Sequence, residues 1–231
     1  MYPHNFWQKE LLDDSKDKKA FSMKFILPLI LLSPLIIFNM PLTIKAMILM
    51  LFVLFTGTMG TSVKLTRLKE SNMLEKLAIT PLSPSRFMAN FVFANALFDG
   101  LQLLTPFLLI VFLSASQVTG IPWIFICYVA AILGANAIGV LVALMAGSSG
   151  EVHLYSTLIV LLVGAISIPL TISIGGFIRT IGDILPFRLF YDSLIGGWGV
   201  YSPKILILAP ISGAALLGLV ILLSPRLFRF H

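Results

Sequence analysis

The sequence has few charged residues and a single cysteine. Its 231 residues include 16 Lys and Arg and 10 Asp and Glu side chains, so 11% are charged, whereas soluble domains usually carry about 25%. Hydrophobic residues make up 58% of the chain, and its mean hydropathy is +1.00. This composition excludes a soluble globular fold and a disordered chain. The one cysteine, Cys127, stands in an apolar run, which excludes a disulfide framework and a cysteine-rich zinc site.

Residues that carry enzymatic chemistry are also scarce. The sequence has no phosphate-binding G-x-x-x-x-G-K-S/T loop, so we do not expect it to bind ATP by that route. A protease with Ser149 as nucleophile would need a histidine in hydrogen-bond reach, and His153 follows in the same short connection. A connecting turn explains the GSSG sequence at 147–150 more simply. We therefore expect a chain that is not an enzyme, with no metal and no cofactor of its own.

Long apolar runs dominate the rest of the sequence. A membrane-spanning helix needs about 20 mostly apolar residues. Six stretches meet this requirement: Phe25–Ile44, Ala46–Val63, Phe87–Leu113, Pro122–Met145, Leu154–Ile174 and Ile205–Leu223. The predicted fold class is an all-α integral membrane protein with six transmembrane helices, in which residues 25–231 form a single transmembrane domain. Pro28 and Pro34 predict a first span that is bent or only partly regular.

The basic residues predict the orientation of these spans. Twelve of the 16 Lys and Arg residues lie in the N-terminal arm, the connection after the second span and the C-terminal tail. The other side has only Lys45, Arg179, Arg188 and Lys204. Because the basic side is normally cytoplasmic, both termini are predicted to face the cytosol. Topology and anionic lipid then explain the net charge of +6, and no nucleic acid partner is needed.

Two further segments mix apolar and polar residues. The N-terminal arm, residues 1–24, combines Phe6, Trp7 and Leu11 with many charges, which is typical of an amphipathic helix at the cytosolic interface; the alternative is a solvated arm. Residues 175–203 are too polar to span the membrane and too apolar for a free loop. They predict two short re-entrant or interfacial helices at the outer surface, Phe177–Leu185 and Phe187–Ile195, with an ordinary aromatic belt as the alternative.

Residues 64–86 predict a rigid helical hairpin in the cytosol. The second span continues as a polar helix, which should end near Ile79 because Pro81 disfavours helix at Thr80. Ser83 followed by Pro84 is typical of an N-cap with proline at the first helical position, at the start of the third span.

Polar residues inside the spans could serve transport or helix packing. Asp99 lies near the middle of the third span, where a charge is costly. It could contact a cation, a proton or a polar substrate, or it could hydrogen bond to Asn136 and fix helix packing. Hydroxyl groups of the second and fifth spans could line a translocation path or pack helices together, as Gly134, Gly139 and Gly218 are expected to do. The candidate path residues are Thr56, Thr58, Asp99, Ser167 and Thr171.

The sequence ESNMLEKLAITPLSPSRF, residues Glu70–Phe87, resembles a segment of the permease subunits of ABC-2-type ATP-binding cassette exporters. That family typically has an acidic residue, then Gly-Thr-Leu-Glu, then a Thr-Pro-(Leu/Val)-Ser turn before the third span. Asn72 stands here where the glycine is usual, and Asn90 where a lysine is often found. The residues that follow the pattern are Glu70, Leu74, Glu75, Leu77, Thr80, Pro81, Leu82 and Ser83.

This resemblance implies an exporter permease that forms the translocation path as a homodimer in the lipid bilayer. A separate ATPase subunit would bind ATP and Mg, and the hairpin would be the coupling helix that docks on it. The coupling residues carried over are Glu70, Leu74, Glu75, Thr80, Pro81 and Ser83. The separate-subunit design suggests a prokaryotic cell membrane, and the short outer loops and apolar path favour small hydrophobic or amphipathic cargo such as a drug, lipid or peptide. The alternatives are an ion-coupled secondary transporter or channel using Asp99, and an assembly permease similar to haem exporters.

Overall fold

A computed structural model of the chain describes residues 18–74, 83–114, 121–168, 176–196 and 203–227. These residues form α-helices joined by short turns, and no β-strand occurs within these ranges. The helices are α1 (Lys18–Ile37), α2 (Leu42–Glu70), α3 (Pro84–Leu113), α4 (Ile121–Met145), α5 (Ser149–Ser167), α6 (Phe177–Ile184), α7 (Pro186–Ile195) and α8 (Pro203–Leu227). The predicted all-α class is confirmed.

Within the described ranges, five helices are long and apolar enough to cross a membrane. They are α2, α3, α4, α5 and the Ile207–Pro225 part of α8, and they coincide with the second to sixth predicted spans. The apolar part of α1, Phe25–Leu35, is shorter than the usual length of a span. The six-span layout therefore stays a prediction, as does the division of the chain at residue 24. Of the predicted interfacial helix, residues 1–17 lie outside the described ranges.

The first predicted span, Phe25–Ile44, is wrong at its C-terminal end. Helix α1 ends at Ile37, and the chain turns at Asn39, whose φ is 46°. Pro41 disfavours helix at the residue before it, and it then serves as the N-cap of α2. The break between the first two helices is therefore a local consequence of one asparagine and one proline.

Two Ser-Pro pairs explain how Pro34 and Pro225 lie inside long helices. Pro34 has no N–H to donate to the Ile30 carbonyl, and the Ser33 hydroxyl donates to that oxygen instead, at 2.7 Å. In α8 the Ser224 hydroxyl donates in the same way to the Ile221 carbonyl, at 2.7 Å, which Pro225 leaves without a backbone donor. In an apolar environment the serine hydroxyl thus takes the place of the missing proline N–H, and the carbonyl stays hydrogen bonded.

Prolines also set the ends of α5 and α6. Helix α5 ends at Ser167, and Ile168 is extended with ψ of 137°, because Pro169 follows it. The predicted fifth span, which ran to Ile174, is therefore too long as a helix. Leu185 has the same ψ of 137° before Pro186, and this kink separates α6 from α7. The two short helices predicted here are confirmed as helices within one or two residues. Their re-entrant or interfacial position stays a prediction.

Helix α4 lies at the centre of the bundle, with the largest buried share of the apolar helices. Close approach to α2 depends on small residues: a Cβ atom at Gly139 would lie 2.6 Å from the Thr58 carbonyl oxygen, and one at Gly57 would lie 2.6 Å from the Ala135 Cβ. Helix α7 packs on the same centre through an aromatic cluster of Phe107, Tyr128 and Phe190. The bundle therefore positions the basic end of α2 beside the C-terminal end of α4.

Candidate functional site

The connection between α2 and α3, residues 71–82, begins with a tight turn. Helix α2 has 29 residues, about 44 Å at 1.5 Å per residue, so it is longer than a hydrocarbon core of about 30 Å. It ends at Glu70, and Asn72 adopts a left-handed φ of 53°. The prediction of one helix continuing to Ile79 is therefore wrong, because the backbone turns seven residues earlier. Met73 and Leu74 are therefore separated from α2 by this turn.

Leu74 packs the first part of this connection against the helix bundle. Its side chain is buried in an apolar cluster with Leu65 of α2 and with Phe87, Met88 and Phe91 of α3. Ala143 and Val220 bring α4 and α8 into the same cluster. Of the predicted coupling residues, Leu74 is thus a packing anchor within this chain.

The other end of the connection is an ordered helix start, as predicted. Ser83 is the N-cap of α3, its hydroxyl accepts from the Arg86 N–H at 3.3 Å, and Pro84 follows at the first helical position. Between the two ends, residues 75–82 lie outside the described ranges, and with them the predicted coupling residues Glu75, Thr80 and Pro81.

Lys69 and Glu70, the last two residues of α2, contact the ends of two other helices. The Lys69 ammonium donates to the carbonyl oxygens of Ala143 and Ala146, at 2.8 and 2.9 Å. The Glu70 carboxylate accepts from the backbone N–H of Ser149 at 2.7 Å and from its hydroxyl at 2.6 Å. The predicted coupling residue Glu70 therefore has partners inside this chain.

Residues 146–148, the α4–α5 turn, connect those two helix ends. Ser148 is the N-cap of α5 and accepts from the Glu151 N–H at 3.4 Å, while the Glu151 carboxylate accepts from the Gly147 N–H at 2.8 Å. Gly147 and Ser148 lie in the connecting turn that was predicted for the GSSG sequence, whereas Ser149 and Gly150 already belong to α5. Ser149 is the first residue of α5, and its hydroxyl is held by a carboxylate.

Asp99 belongs to a buried polar cluster between α2, α3 and α4. The Asn136 amide donates to the Asp99 carboxylate at 3.0 Å and to the Ile132 carbonyl at 3.0 Å, and the Thr61 hydroxyl donates to the Asn136 amide oxygen. Thr58 donates to the Ala135 carbonyl at 3.2 Å. The hydrogen bond between Asp99 and Asn136 that the sequence predicted as a packing contact is present.

A second polar contact lies beside this cluster. The Lys64 ammonium donates to the Asn95 amide oxygen at 2.9 Å and lies 5.6 Å from the centre of the Phe98 ring. Asn95 is buried one helical turn from Asp99 on the same face of α3. Hydrogen bonding and the aromatic face both offset part of the cost of burying an ammonium group.

The predicted path residues lie in different environments. Thr58 and Asp99 are buried where α2, α3 and α4 meet, whereas Thr56 is half-buried on α2. Ser167 is fully buried at the end of α5, and its hydroxyl has no hydrogen-bond partner among the described residues. Thr171 lies outside the described ranges. A role of these residues in transport stays a prediction.

An ion pair stabilises α7 on the other side of the bundle. Arg188 donates to the Asp192 carboxylate at 2.8 Å, one helical turn away, and its guanidinium lies 5.7 Å from the centre of the Tyr191 ring. Burial raises the pKa of the Asp192 carboxyl above its ordinary value, and the hydrogen bond from Arg188 opposes that shift. The hydrogen bond from Arg188 thus favours the ionised form of Asp192.

Two groups of contacts were not predicted from the sequence. The contacts of Lys69 and Glu70 with the α4–α5 turn join residues about 75–80 positions apart, and only the fold brings them together. The Ser-Pro pairs inside α1 and α8 were visible as dipeptides, but their use as substitute donors depends on the helix continuing through the proline. Within the described ranges, no three His, Cys, Asp or Glu side chains converge as a metal site would require.

Comparisons with known proteins identify the family. A sequence profile described as "ABC-2 family transporter protein" matches residues 41–223, which is most of the chain and includes α2 to α7 and most of α8. Comparison with curated proteins and with solved structures found no match. The resemblance noted at the α2–α3 connection is thereby confirmed at the level of the family. The chain belongs to the ABC-2 family of transporter proteins, as a multi-pass membrane protein with the permease role of that family.

Proposed function

We propose that this chain is the permease subunit of an ABC-2 exporter, which forms a translocation path as a homodimer and is driven by a separate ATPase subunit. The observation that carries the proposal is the anchoring of the α2–α3 connection at both ends. Leu74 is buried between α2 and α3, and Ser83 caps α3. A connection held in this way can transmit a rigid-body movement, which a freely moving loop cannot do.

Docking on the ATPase is assigned to the middle of this connection. Glu70 and Leu74 have partners within the chain. We assign docking to Glu75, Thr80 and Pro81, which the resemblance to ABC-2 permeases gives as coupling residues. The ATPase would bind ATP and Mg, and closure of the ATPase pair would push the two connections together. The path would then change from inward-facing to outward-facing, and hydrolysis would reset it.

The apolar surface of the helices supports a lipid-like cargo and a second copy. Helix α5 exposes Leu154, Leu158, Leu161 and Leu162, and a cavity of about 260 Å³ between α3 and α4 has an almost wholly apolar lining. Thr56 on α2 would face the path between two copies. We infer a small hydrophobic or amphipathic substrate, such as a drug, lipid or peptide, and a cell membrane with both termini in the cytosol.

Native mass spectrometry tests the assembly. The tagged chain is extracted gently from its own cells, so that partners expressed from the genome remain bound. Two copies of this chain with two copies of a soluble ATPase are expected. A lone chain or a homo-oligomer without an ATPase, under conditions that preserve membrane complexes, would contradict the proposal.

Variants in the connection test the docking site. Glu75→Ala and Pro81→Ala are expected to reduce the ATPase recovered with the permease while leaving membrane insertion unchanged. Ser71→Ala is the matched control, because the Ser71 hydroxyl donates to Leu68 of its own helix at 3.2 Å. Equal recovery of the ATPase with all three variants would argue against docking at this segment.

A further inference from the structure

Lys69 and Glu70 join the start of the α2–α3 connection to the α4–α5 turn. Lys69 contacts the carbonyl oxygens of Ala143, in the last turn of α4, and of Ala146, the residue after the helix. Glu70 contacts the first residue of α5 through both donors of Ser149. Two adjacent residues therefore hold both ends of a turn that is only three residues long. We refer to these contacts as the Lys69–Glu70 clamp.

The charges of the clamp match the helix ends that they touch. The last carbonyl groups of a helix and its first N–H groups have no partner within the helix, and they carry partial negative and positive charge. Lys69 places its positive charge on the carbonyl end of α4, and Glu70 places its negative charge on the N–H end of α5. Exchanging the two residue types would reverse both interactions.

Further contacts along α2 extend this connection into the bundle. The Thr61 hydroxyl donates to Asn136 of α4, and the Ser62 and Ser156 hydroxyls lie 2.8 Å apart between α2 and α5. Near these contacts Gly139 of α4 lies directly against the backbone of α2. Helices α2, α4 and α5 are thus held together from their middle to the clamp.

We propose that Lys69 and Glu70 are positioning residues that transmit movement of the α2–α3 connection to α4 and α5. The inference rests on the proposed function, because it requires an ATPase that displaces this connection. Leu74, which lies nearer the docking residues, packs in an apolar cluster with residues of α2, α3, α4 and α8. The clamp begins at Glu70, the last residue of α2, and adds the contact with the start of α5. Through the clamp, a displacement of the α2–α3 connection moves α2, α4 and α5 together.

Ser149→Pro removes one half of the clamp without disturbing the helix. Proline lacks the N–H and the hydroxyl that Glu70 accepts from, and it is favoured at the first position of a helix, which Ser149 occupies. The preceding Ser148 already has the extended conformation that a following proline requires, with φ of −145° and ψ of 162°. Glu70→Ala removes the same interaction from the other side.

The test uses the complete permease–ATPase complex in lipid nanodiscs and follows amide hydrogen exchange with and without trapping by ATP and vanadate. In the unmodified complex, trapping is expected to change exchange both in residues 71–82 and in residues 146–152. In Glu70→Ala and Ser149→Pro the change in residues 71–82 is expected to persist. The change in residues 146–152 is expected to fall about fivefold, because both variants remove the two hydrogen bonds between Ser149 and Glu70.

Two variants distinguish transmission of movement to α4 and α5 from a contribution of the clamp to stability alone. Glu70→Gln keeps an acceptor for the Ser149 N–H and is expected to retain most of the trapping response, whereas Ser71→Ala is expected to retain all of it. Recovery of the ATPase is expected to be equal in all clamp variants, because the clamp lies outside the docking residues. A trapping response in residues 146–152 that is the same in Glu70→Ala, Ser149→Pro and the unmodified complex would overturn the inference.

Failure of the proposed function is recognised separately. It would appear in the unmodified protein, as the lack of any associated ATPase, before a clamp variant is made. If the ATPase binds but trapping changes only residues 71–82 in the unmodified complex, the proposed function stands and the clamp inference is overturned.

Discussion

The backbone angle of Asn72 explains why an asparagine can stand where the family pattern has another residue. Its φ of 53° lies in the left-handed region, which glycine adopts freely and asparagine tolerates better than most residues. The family usually has glycine at this position, and the turn after α2 gives the physical reason. The asparagine is therefore compatible with the same turn.

We predict that Asn72→Gly leaves thermal stability nearly unchanged, whereas Asn72→Val lowers the free energy of unfolding by about 1–2 kcal/mol. A β-branched side chain in the left-handed region clashes with its own backbone. The melting temperature of the purified protein in detergent measures both effects. A valine variant as stable as the glycine variant would contradict the left-handed turn.

Asp99 gives a second residue-scale prediction. Asp99→Asn keeps an acceptor for the Asn136 amide, so we expect little loss of stability, whereas Asp99→Leu should cost about 1 kcal/mol because a buried donor loses its partner. Thermal unfolding of the two variants checks this difference. ATP-driven transport is expected to be unchanged in Asp99→Asn; its loss together with dependence on an ion gradient would favour the ion-coupled alternative.

At the scale of helices, glycines of the bundle differ in how closely a neighbouring helix approaches them. Gly139 lies against the α2 backbone, whereas Cβ atoms at Gly60 and Gly218 would meet nothing within 4 Å. Gly218 was predicted to be a packing residue, but a Cβ atom there has no close neighbour among the described residues. Similar small residues in similar apolar helices thus have different roles, which depend on the face that each helix turns inward.

Gly139→Ala is predicted to lower the free energy of unfolding by about 1–3 kcal/mol, because the added methyl group would lie 2.6 Å from the Thr58 carbonyl oxygen and 2.9 Å from the Thr61 Cβ. Gly60→Ala is the matched control on α2 and is expected to be neutral or slightly stabilising, since alanine favours helix over glycine. Chemical unfolding in detergent measures both. Equal stability of the two variants would show that α2 and α4 are farther apart than described.

The Ser-Pro pair of α8 leads to another prediction about a helix. Ser224→Ala should destabilise the protein by about 1 kcal/mol, because the Ile221 carbonyl then lacks a donor beside Pro225. The Ser224 hydroxyl also lies 3.2 Å from the Ser85 hydroxyl of α3, so Ser85→Ala measures the share of that contact. Ser212→Ala is the control in the same helix: the Ser212 hydroxyl also donates to a carbonyl, that of Ala209, but no proline stands four residues later. A larger effect of Ser212→Ala than of Ser224→Ala would contradict the substitute-donor role.

At the scale of the whole molecule, the basic residues predict which side of the membrane each connection faces. Cys127 is fully buried, so replacing it by alanine provides a background for cysteine labelling. Ser71→Cys is expected to react with a membrane-impermeant maleimide only after the cells are permeabilised, whereas Thr180→Cys should react in intact cells. Both positions are exposed. Labelling of Ser71→Cys in intact cells would reverse the predicted topology.

The amino-acid sequence by itself determined the class and the family of this protein. Apolar runs of about 20 residues require a backbone that satisfies its own hydrogen bonds in lipid, which predicts helices without any knowledge of contacts. Prolines and asparagines, acting on neighbouring residues, set where helices begin and end: Ser83–Pro84 was predicted correctly, whereas the ends at Ile37, Glu70 and Ser167 were missed. The prolines and asparagines next to these ends are visible in the sequence, but the residue at which each helix stops depends on backbone angles that a composition pattern does not resolve.

The tertiary structure alone decided which of the polar and small residues meet. It joined Glu70 to Ser149 and Asp99 to Asn136, and it buried Leu74 within the bundle. Apolar helices of this kind carry only a weak amphipathic pattern, because lipid and the protein interior are similarly apolar, so the sequence contains little information about which face turns inward. The inward face is set by the close fit of glycines and by hydrogen bonds between distant residues, and both exist only once the helices are packed.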